Sequence, residues 1–275
     1  MTMGAPPETD VQFSALMEKI SRERGFGCAS YKEKCLRRRI AVRMRATAVH
    51  TYESYASILD RDDKEYDLLL DALTINVTKL FRNWDAFERV ARNVIPAIWQ
   101  GQNERIRVWS AGCASGEEPY SLAILFHRHA LMVRETRRLN RVGIVATDID
   151  RGSLTAAARG AYQLQAFADT PDEIRRAYFS PDYPAEVVPE VKALVRFERR
   201  DLLREAPPET GLQLILCRNV IIYFDRATQE ALFERFHAAL APGGFLVLGK
   251  VETLLGAIRT RFAAVDARER IFRKL

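Results

Sequence analysis

Apolar residues recur three to four positions apart through the first quarter of the chain, the spacing of one buried helix face. This spacing begins at Val11 and is interrupted by Gly25 and Gly27, where a first helix is expected to end. It resumes in three further stretches, over residues 31–44, 52–59 and 66–73. Residues 11–73 therefore predict an all-α domain, a small helical bundle, preceded by a disordered N-terminus over residues 1–10.

A different pattern follows, in which short apolar runs alternate with helical stretches. Strands are predicted over residues 106–110, 142–147, 212–217, 245–248 and around 271–272. Strands that alternate with helices indicate an α/β fold with a doubly wound, Rossmann-like parallel sheet, whose ligands bind at the carboxyl ends of the strands. We place a linker and the start of this domain at residues 74–90 and its body at residues 91–275. A stretch rich in Pro, Asp and Tyr at about residues 162–200, with a β-like piece over 194–199, predicts a small inserted β subdomain.

The loop after the first predicted strand carries the first sign of chemistry. Small residues occupy positions 110–116, and a helix pattern begins at Glu117 and Glu118. Glycines in such a loop adopt positive φ and let the backbone approach a ligand closely. The loop lacks a complete G-x-G-x-x-G and any G-K-[ST], and its acidic pair disfavours phosphate, so it favours a ligand with hydroxyls and positive charge, such as S-adenosylmethionine. Alternatively, Ser115 caps the helix in a capping box with Glu118, and this segment alone leaves both interpretations open.

Charge is distributed unevenly along the 275 residues, whose net charge is +6. Ten Lys and Arg residues stand against two acids between Lys19 and Arg45, whereas seven acids stand against two basic residues over 46–73. Such a basic run is usually a solvated helix face. Its density also fits an acidic partner, either nucleic acid or an acidic protein surface.

The cysteines and the apolar runs bound the compartment and the cofactor. The four cysteines form no C-x-x-C and no cluster with histidine, so reduced thiols and no metal site are expected. No apolar run is long enough to span a bilayer, and residues 1–10 have no signal-peptide pattern. We therefore expect a cytoplasmic protein with no segment inserted into the membrane.

Polar residues follow the ends of the later predicted strands. They are Asp148, Asp201 with Leu202, Arg218 with Asn219, and, one helical turn further on, Tyr223. Singly, a helix cap, a surface ion pair or a core tyrosine would explain them. Because the carboxyl ends of parallel strands meet at one edge, together they predict one ligand site, in which Asp148 accepts hydrogen bonds from a ribose.

Four segments are the most specific features: LTINVTKLFR (73–82), VWSAGCASGEEPYS (108–121), ATDID (146–150) and CRNVIIYFD (217–225). Together they resemble the CheR family, the chemoreceptor glutamate methyltransferases. They occur in that family's order, and the resemblance covers nearly the whole chain from about Val11. The combination of Gly-Glu-Glu-Pro-Tyr-Ser with Cys-Arg-Asn-Val-x-Ile-Tyr-Phe is highly specific.

The resemblance implies S-adenosylmethionine as methyl donor, S-adenosylhomocysteine as product and receptor glutamates as acceptors. It assigns the cofactor contacts to Asn76, Thr78, Arg82, Glu118, Asp148, Asp201, Leu202, Arg218 and Asn219. It also implies that Arg82 and Tyr223 border the transfer site. For the acidic cytoplasmic domain of methyl-accepting chemoreceptors we expect contacts from five arginines of the basic run: Arg37, Arg38, Arg39, Arg43 and Arg45. We expect a monomer that binds no nucleic acid.

Three departures from the family pattern bear on these expectations. Leu80-Phe81 stands where the family often has paired aromatics. Gly249-Lys-Val-Glu252 stands where the family usually has Gly-His-Ser-Glu, so this chain lacks any polar contact that the His-Ser pair would make. The stretch from Phe179 to Asp201 contains three prolines and no glycine, although some family members use this subdomain to bind a peptide from the receptor's C-terminus. We predict that this protein does not depend on such a peptide.

The chemistry expected of such an enzyme needs no general base. A glutamate side chain has a pKa of about 4.3, so at neutral pH it is already a nucleophile. Arg82 suits the orientation of donor and acceptor, because a guanidinium holds a carboxylate by two parallel hydrogen bonds. Two alternatives stay open: a non-catalytic scaffold that binds S-adenosylmethionine, and a nucleic-acid methyltransferase. Against the second, the chain has no Asn/Asp-Pro-Pro-Tyr motif and no Pro-Cys nucleophile.

Overall fold

The computed structural model describes residues 8–74, 78–101 and 104–275. Contacts divide these residues into two units: the helices up to position 74 together with Tyr223–Thr228, and the remainder of the described chain. Asn76 and residues 1–7 lie outside the described residues. Within those ranges, no helix combines the length and the apolarity that crossing a bilayer requires.

The helical unit is built from four helices: α1 (Glu8–Arg24), α2 (Glu33–Ala46), α3 (Tyr52–Leu59) and α4 (Asp63–Leu73). Helix α1 ends where expected, because Gly25 adopts φ 68°, but it begins at Glu8, inside the N-terminus that was expected to be disordered. Helix α2 turns Leu36, Ile40 and Met44 into the core. The spacing of these residues is the helical spacing from which the sequence predicted the helix.

A buried carboxylate organises the polar part of this unit. Glu65 on α4 is 5% exposed and accepts a hydrogen bond from the hydroxyl of Tyr55 at 2.7 Å. The Arg43 guanidinium on α2 donates to both carboxylate oxygens, at 3.0 and 2.5 Å. Such bidentate pairing compensates the loss of hydration of a buried carboxylate.

The second unit is built on a mostly parallel sheet. The strands of the described chain are β1 (Ile106–Ala111), β2 (Val142–Asp148), β3 (Ala161–Tyr162), β4 (Ala185–Glu186), β5 (Val195–Arg199), β6 (Leu212–Cys217), β7 (Leu240–Leu248), β8 (Phe262–Asp266) and β9 (Ile271–Lys274). Seven of them form one sheet in the order β5-β2-β1-β6-β7-β9-β8, in which β9 is antiparallel to both neighbours. The chain proceeds outwards from β1 through β2 to β5, then returns to β6 on the other side of β1. Ligands bind where strand order reverses in this way, which here is between β1 and β6.

Helices cover this sheet. They are α5 (Trp84–Arg89), α6 (Ile95–Gln100), α7 (Glu117–Met132), α8 (Arg151–Arg159), α9 (Asp172–Tyr178), α10 (Pro189–Lys192) and α11 (Arg226–Ala239). A π-helical segment over Val90–Val94 joins α5 to α6. The most deeply buried helix is α7, which begins directly after the loop that follows β1.

The insertion is smaller than the sequence predicted. The β-like piece expected inside it is β5, which pairs in parallel with β2 from Val195 opposite Ile144 and forms an edge of the main sheet. Apart from the main sheet, the two-residue strands β3 and β4 pair with each other and an isolated antiparallel bridge joins Phe179 to Val187, and α9 and α10 accompany them. Strand β8 was not predicted, because the middle of Phe262–Asp266 is exposed and lacks the apolar run of a buried strand.

Candidate cofactor site

The loop between β1 and α7 is held by its own backbone. The amides of Gly112 and Cys113 both donate to the carbonyl of Thr147 at the end of β2, at 2.8 and 3.0 Å. Gly112 and Gly116 adopt φ of 77° and 92°, as predicted for glycines in this loop. The close approach that they permit is to the protein itself. A Cβ on Gly112 would lie 2.5 Å from a methyl of Val220, and one on Gly116 would lie 2.9 Å from the Cβ of Ala157.

Glu118 is not part of a capping box. The residue that caps α7 is Gly116, with no side-chain hydrogen bond, and the Ser115 hydroxyl donates to Glu117 at 2.9 Å. Glu118 instead accepts a hydrogen bond at 2.8 Å from the hydroxyl of Ser110 on β1. Its other oxygen lies 3.9 Å from a nitrogen of Arg218, the residue that follows β6. Of the two open interpretations, the structure thus rejects the cap and aims Glu118 at the reversal point between β1 and β6.

Burial shifts the pKa of both acids at the start of α7 upward. Burial raises the pKa of Glu118 to about 7, although the Arg218 guanidinium and the Ser110 hydroxyl oppose that rise. Burial likewise raises the pKa of Glu117 to about 7, against the hydrogen bond from Ser115. Since burial penalises the charged form, a cation placed beside either group would favour its ionised form. Glu118, which lies beside the strand ends, is the better placed of the two to meet a cationic ligand.

Arg218 connects the end of β6 to the segment that contains Arg82. One of its terminal nitrogens donates to the carbonyl of Arg82 at 2.9 Å and to the side-chain oxygen of Asn83 at 3.4 Å. Its guanidinium lies 5.1 Å from the centre of the Phe87 ring. Burial lowers the pKa of Arg218, while Glu118 and then Glu252 act in the opposite direction. Arg218 is therefore a buried residue that links the end of β6 to the Arg82 segment, to Glu118 on α7 and to Phe87 on α5.

The Arg82 segment is braced on both sides. Phe81 and Asn83 both adopt left-handed backbone conformations, with φ of 53° and 60°. The amide of Phe81 donates to the hydroxyl of Ser121 on α7 at 2.8 Å, and the amide of Asn83 donates to the carboxylate of Asp169 at 2.9 Å. Strained backbone persists where surrounding contacts hold it, and here those contacts fix the position of Arg82.

Glu252 is a site residue that the sequence analysis did not select. Its carboxylate accepts hydrogen bonds from the amides of Gly249, Asn219 and Ile222, at 2.6, 3.0 and 3.2 Å. Its only sequence signal is the final Glu of the Gly249-Lys-Val-Glu252 motif. Lys250 and Val251, the two residues of this motif that differ from the family pattern, are exposed. The departure from the pattern therefore leaves the buried Glu252 carboxylate and its hydrogen bonds intact.

Glu252 holds the backbone of Asn219 but not its side chain. Asn219 adopts φ of 61°, and its side-chain oxygen is buried without a hydrogen-bond partner within the described chain. An unsatisfied buried acceptor is costly, so this oxygen fits a ligand that donates a hydrogen bond.

Asp148, the last residue of β2, holds the loop between β1 and α7. One of its oxygens accepts the amide of Ala114 at 2.8 Å and the other accepts the amide of Asp150 at 3.0 Å. The helix cap of α8 is Asp150, so Asp148 is not a cap. Each carboxylate oxygen retains acceptor capacity, which a ribose hydroxyl could use.

The other residues predicted to contact the cofactor, Asp201, Leu202 and Thr78, have only local or backbone roles among the described residues. Asp201 forms a local turn, because its carboxylate accepts the amide of Leu203 at 2.8 Å. The carbonyl of Leu202 accepts a hydrogen bond from Arg235. Thr78 is half-buried just before the Arg82 segment.

In the helical unit, the five arginines expected to bind the receptor divide into two groups. Arg37 pairs with Asp10 at 2.7 Å and Glu33 at 2.6 Å, and Arg43 pairs with Glu65, so both stabilise the unit itself. Their predicted contact with the receptor stays a prediction, and it would have to compete with these ion pairs. Arg38 and Arg45 are exposed and have no ion-pair partner among the described residues, while Arg39 is half-buried.

Tyr223 is grouped with the helical unit. Its carbonyl accepts the amide of Lys32 at 2.8 Å, and Tyr31 pairs with Phe224 as an antiparallel bridge. Its sequence position, directly after the Arg218 loop and Ile222, is what connects it to the predicted transfer site.

The mostly parallel sheet reverses its strand order between β1 and β6, as in Rossmann-like proteins that bind a cofactor at this point. Buried acids, an arginine and an asparagine oxygen without a partner among the described residues lie at these strand ends. They suit a cofactor with cationic and hydrogen-bond-donating groups. Two family models match: CheR methyltransferase, SAM binding domain, over residues 76–271, and CheR methyltransferase, all-alpha domain, over residues 12–74. The chain belongs to the CheR methyltransferase family. This confirms the predicted family, the fold class and S-adenosylmethionine as the methyl donor.

Relatives cover most of the chain. The chemotaxis protein methyltransferase of Listeria innocua is 32% identical over 250 residues, which are 90% of this chain and 92% of that protein. Chemotaxis protein methyltransferase 2 of Pseudomonas aeruginosa is 35% identical over 257 residues, 90% of this chain and 89% of that one. Among solved structures, the N-methyltransferase NodS of Bradyrhizobium japonicum with S-adenosyl-L-homocysteine has a TM-score of 0.38 and 15% identity, over 68% of this chain and 87% of that one.

Proposed function

We propose that this protein transfers the methyl group of S-adenosylmethionine to glutamate side chains on the cytoplasmic domain of chemoreceptors, as a protein-glutamate O-methyltransferase of chemotaxis. The products are a glutamate methyl ester and S-adenosylhomocysteine. The observation that carries the proposal is the buried cluster of Glu118, Arg218 and Asn219 at the reversal point of the sheet, in a chain whose relatives are chemotaxis methyltransferases.

The donor-binding role follows from the charges and acceptors of this cluster. When bound, S-adenosylmethionine supplies an electrophilic methyl group on a positively charged sulfur. Glu118 offers a carboxylate whose ionisation a cation would favour, and Asn219 offers a buried acceptor. Asp148 offers the remaining lone pairs of its carboxylate to hydroxyl groups.

The acceptor-orienting role falls to Arg82. Its backbone is held by Arg218, and its cation lies near enough to Glu118 to lower the pKa of that acid. A guanidinium at that position orients an incoming carboxylate by paired hydrogen bonds. Arg82 must orient the acceptor carboxylate without fully neutralising its charge, because a carboxylate held too tightly is a poor nucleophile.

The histidines of the second unit support a reaction without a general base. His127 bonds to the hydroxyl of Tyr178 at 3.0 Å, and His129 packs edge-on against Trp99. His237 bonds to Arg261 at 2.8 Å. All three have structural partners away from the strand ends, and a glutamate acceptor that is ionised at neutral pH needs none of them.

Receptor recognition is assigned to an exposed stripe of α2. Lys34, Arg38 and Arg45 share one face of the helix, since positions four and seven residues apart nearly coincide in direction. This face points away from the core residues Leu36, Ile40 and Met44. An acidic receptor helix would complement it in charge and would be steered to it at low salt.

Charge reversal tests this assignment. Arg38→Glu with Arg45→Glu should lower receptor methylation and leave the affinity for S-adenosylmethionine unchanged. The matched control reverses Arg61 and Lys64, which are exposed in the acidic part of the same unit. The assignment would be refuted if the control pair lost as much receptor methylation, or if the methylation rate did not change with added salt. The α2 arginines would then be a solvated helix face without a partner role.

We further propose that the protein finds its receptor without a C-terminal peptide tether. A tethered peptide would add as a strand to an exposed edge, but β3 and β4 are only two residues long. Calorimetric titration with a Trp-containing receptor pentapeptide should show no binding at tens of micromolar, and saturation in that range would refute the proposal.

The function is tested by incubating the protein with methyl-labelled S-adenosylmethionine and membranes from its own organism. Base-labile label on a receptor-sized band is expected, because carboxyl methyl esters hydrolyse in mild alkali. Arg82→Ala should abolish the label while S-adenosylmethionine still binds in calorimetry. Label on nucleic acid would favour a nucleic-acid methyltransferase, and cofactor binding without any transfer would favour a scaffold.

A further inference from the structure

Helix α7 ends in a protruding apolar knob. Its last two residues, Leu131 and Met132, are 51% and 72% exposed, and Val133 directly after them is 38% exposed. Consecutive helical residues point about 100° apart, so these side chains surround the helix end and do not form a stripe along it. Such a knob does not suit a partner helix lying along α7, which would need apolar positions three and four residues apart.

An arginine-rich cleft lies beside this knob. The segment that follows, 134–141, carries four arginines and one acid, and it lines an open cleft of about 880 Å³. The acid, Glu135, is already paired with the Trp99 indole at 2.8 Å and with Arg138 at 3.3 Å. The other three arginines are exposed and have no ion-pair partner in the part of the chain described: Arg134, Arg137 and Arg141.

Clustered arginines without counter-charges repel one another, and an anion in the cleft relieves that repulsion. All four basic residues of this segment are arginines. A guanidinium matches a phosphate by paired hydrogen bonds, whereas an ammonium acts as a point charge. The adjacent knob adds an apolar requirement, so the complementary surface presents phosphates with hydrocarbon directly behind them.

We propose that residues 131–141 form a docking patch for an anionic phospholipid surface. The arginines contact lipid phosphates, and Met132 with its two neighbours reaches the boundary between headgroups and acyl chains. A deformable lipid surface accepts a knob of this shape without a preformed pocket. The contact is peripheral, so it refines the expectation that no segment inserts into the membrane.

This docking does not depend on the acceptor chemistry. Each arginine near an anionic leaflet strengthens binding about fivefold, so three arginines and a small apolar contact give weak, reversible attachment. Attachment of that kind raises the local concentration of the protein near membrane-bound targets without a new contact at the active site.

Co-sedimentation of the full chain with lipid vesicles tests the patch. Wild type should bind vesicles of phosphatidylglycerol mixed with phosphatidylcholine, and should not bind phosphatidylcholine alone. Replacing Arg134, Arg137 and Arg141 by Glu should lower binding at least about a hundredfold. Met132→Asp should lower it about tenfold, since the apolar contact is lost. The matched control reverses three exposed residues elsewhere: Arg61, Lys64 and Arg259.

The control triple should keep most of the wild-type vesicle binding, and all variants should keep their affinity for S-adenosylmethionine, which verifies folding. An equal loss in the control triple would overturn the patch, because net charge alone would explain the binding. Full binding by Met132→Asp, together with displacement by inorganic pyrophosphate, would assign the cleft to a soluble polyphosphate and overturn the lipid proposal. Absence of wild-type binding to anionic vesicles would also overturn it.

Discussion

The raised pKa of Glu118 predicts how the affinity for S-adenosylmethionine varies with pH. A carboxyl group with a pKa of about 7 is mostly protonated at pH 6 and mostly ionised at pH 7.5. If only the ionised form meets the cationic ligand, affinity should rise about eightfold, or about 1.2 kcal/mol, over that interval. The affinity rises with pH because burial raises the pKa of Glu118. At low pH the free site therefore holds a proton, which the ligand must displace.

Isothermal titration calorimetry measures this linkage directly. At pH 6, binding should release close to one proton, seen as a dependence of the apparent enthalpy on the ionisation enthalpy of the buffer. Glu118→Gln keeps the size of the side chain but cannot titrate, so its affinity should be lower by about 1.5–3 kcal/mol at pH 7.5. Its affinity should also lose the eightfold slope.

Glu117→Gln is the matched control, because Glu117 has a similar pKa but is bonded by Ser115 and lies one residue away. It should retain the slope of wild type. Identical pH profiles for wild type and Glu118→Gln would refute the reasoning, since the slope would then belong to another group.

Three further predictions concern the stability of the fold, the positioning of Arg82 and the affinity for the cofactor. Because burial raises the pKa of Glu117 in the folded state, stability should fall as pH rises from about 4.5 through 7. Glu117→Gln should remove the part of this fall that Glu117 causes, a gain of up to about 3 kcal/mol at pH 8 in chemical denaturation, while Glu118 keeps its own part. Asp169→Ala removes the acceptor of the Asn83 amide and should lower the methyl-transfer rate without changing the affinity for S-adenosylmethionine, whereas Asp172→Ala should change neither quantity. Asp148→Ala should weaken S-adenosylmethionine binding by about 1.5–3 kcal/mol in calorimetry, and unchanged affinity in a folded variant would exclude its ribose role.

The central strands could be predicted because they are buried on both faces and therefore read as apolar runs. Strand β6 (Leu212–Cys217) is buried at every position and was predicted to the residue. The edge strands β5 and β8 are partly exposed, so their sequences do not reveal which sheet they join. Pattern alone placed β5 in the insertion, and only its pairing with β2 corrects this.

The site could be predicted as a set of strand ends but not as a network. Arg218 donates to the carbonyl of Arg82, 136 positions earlier in the chain, and no local pattern encodes that contact. Glu252 was passed over because its partners are backbone amides, which leave no trace in residue type. The capping-box interpretation of Ser115 and Glu118 had the correct spacing, but the left-handed Gly116 begins the helix one residue later.

The central claim is that a glutamate side chain of a chemoreceptor accepts the methyl group, and peptide mapping tests it most directly. A purified receptor cytoplasmic fragment is incubated with the protein and S-adenosylmethionine, then digested and analysed by mass spectrometry. We predict a single added methyl group on glutamate-containing peptides, localised to the side-chain carboxyl, removed by mild alkali and absent with Arg82→Ala. Alkali-stable methylation, or an unmodified receptor beside a protein that binds S-adenosylmethionine normally, would contradict the account.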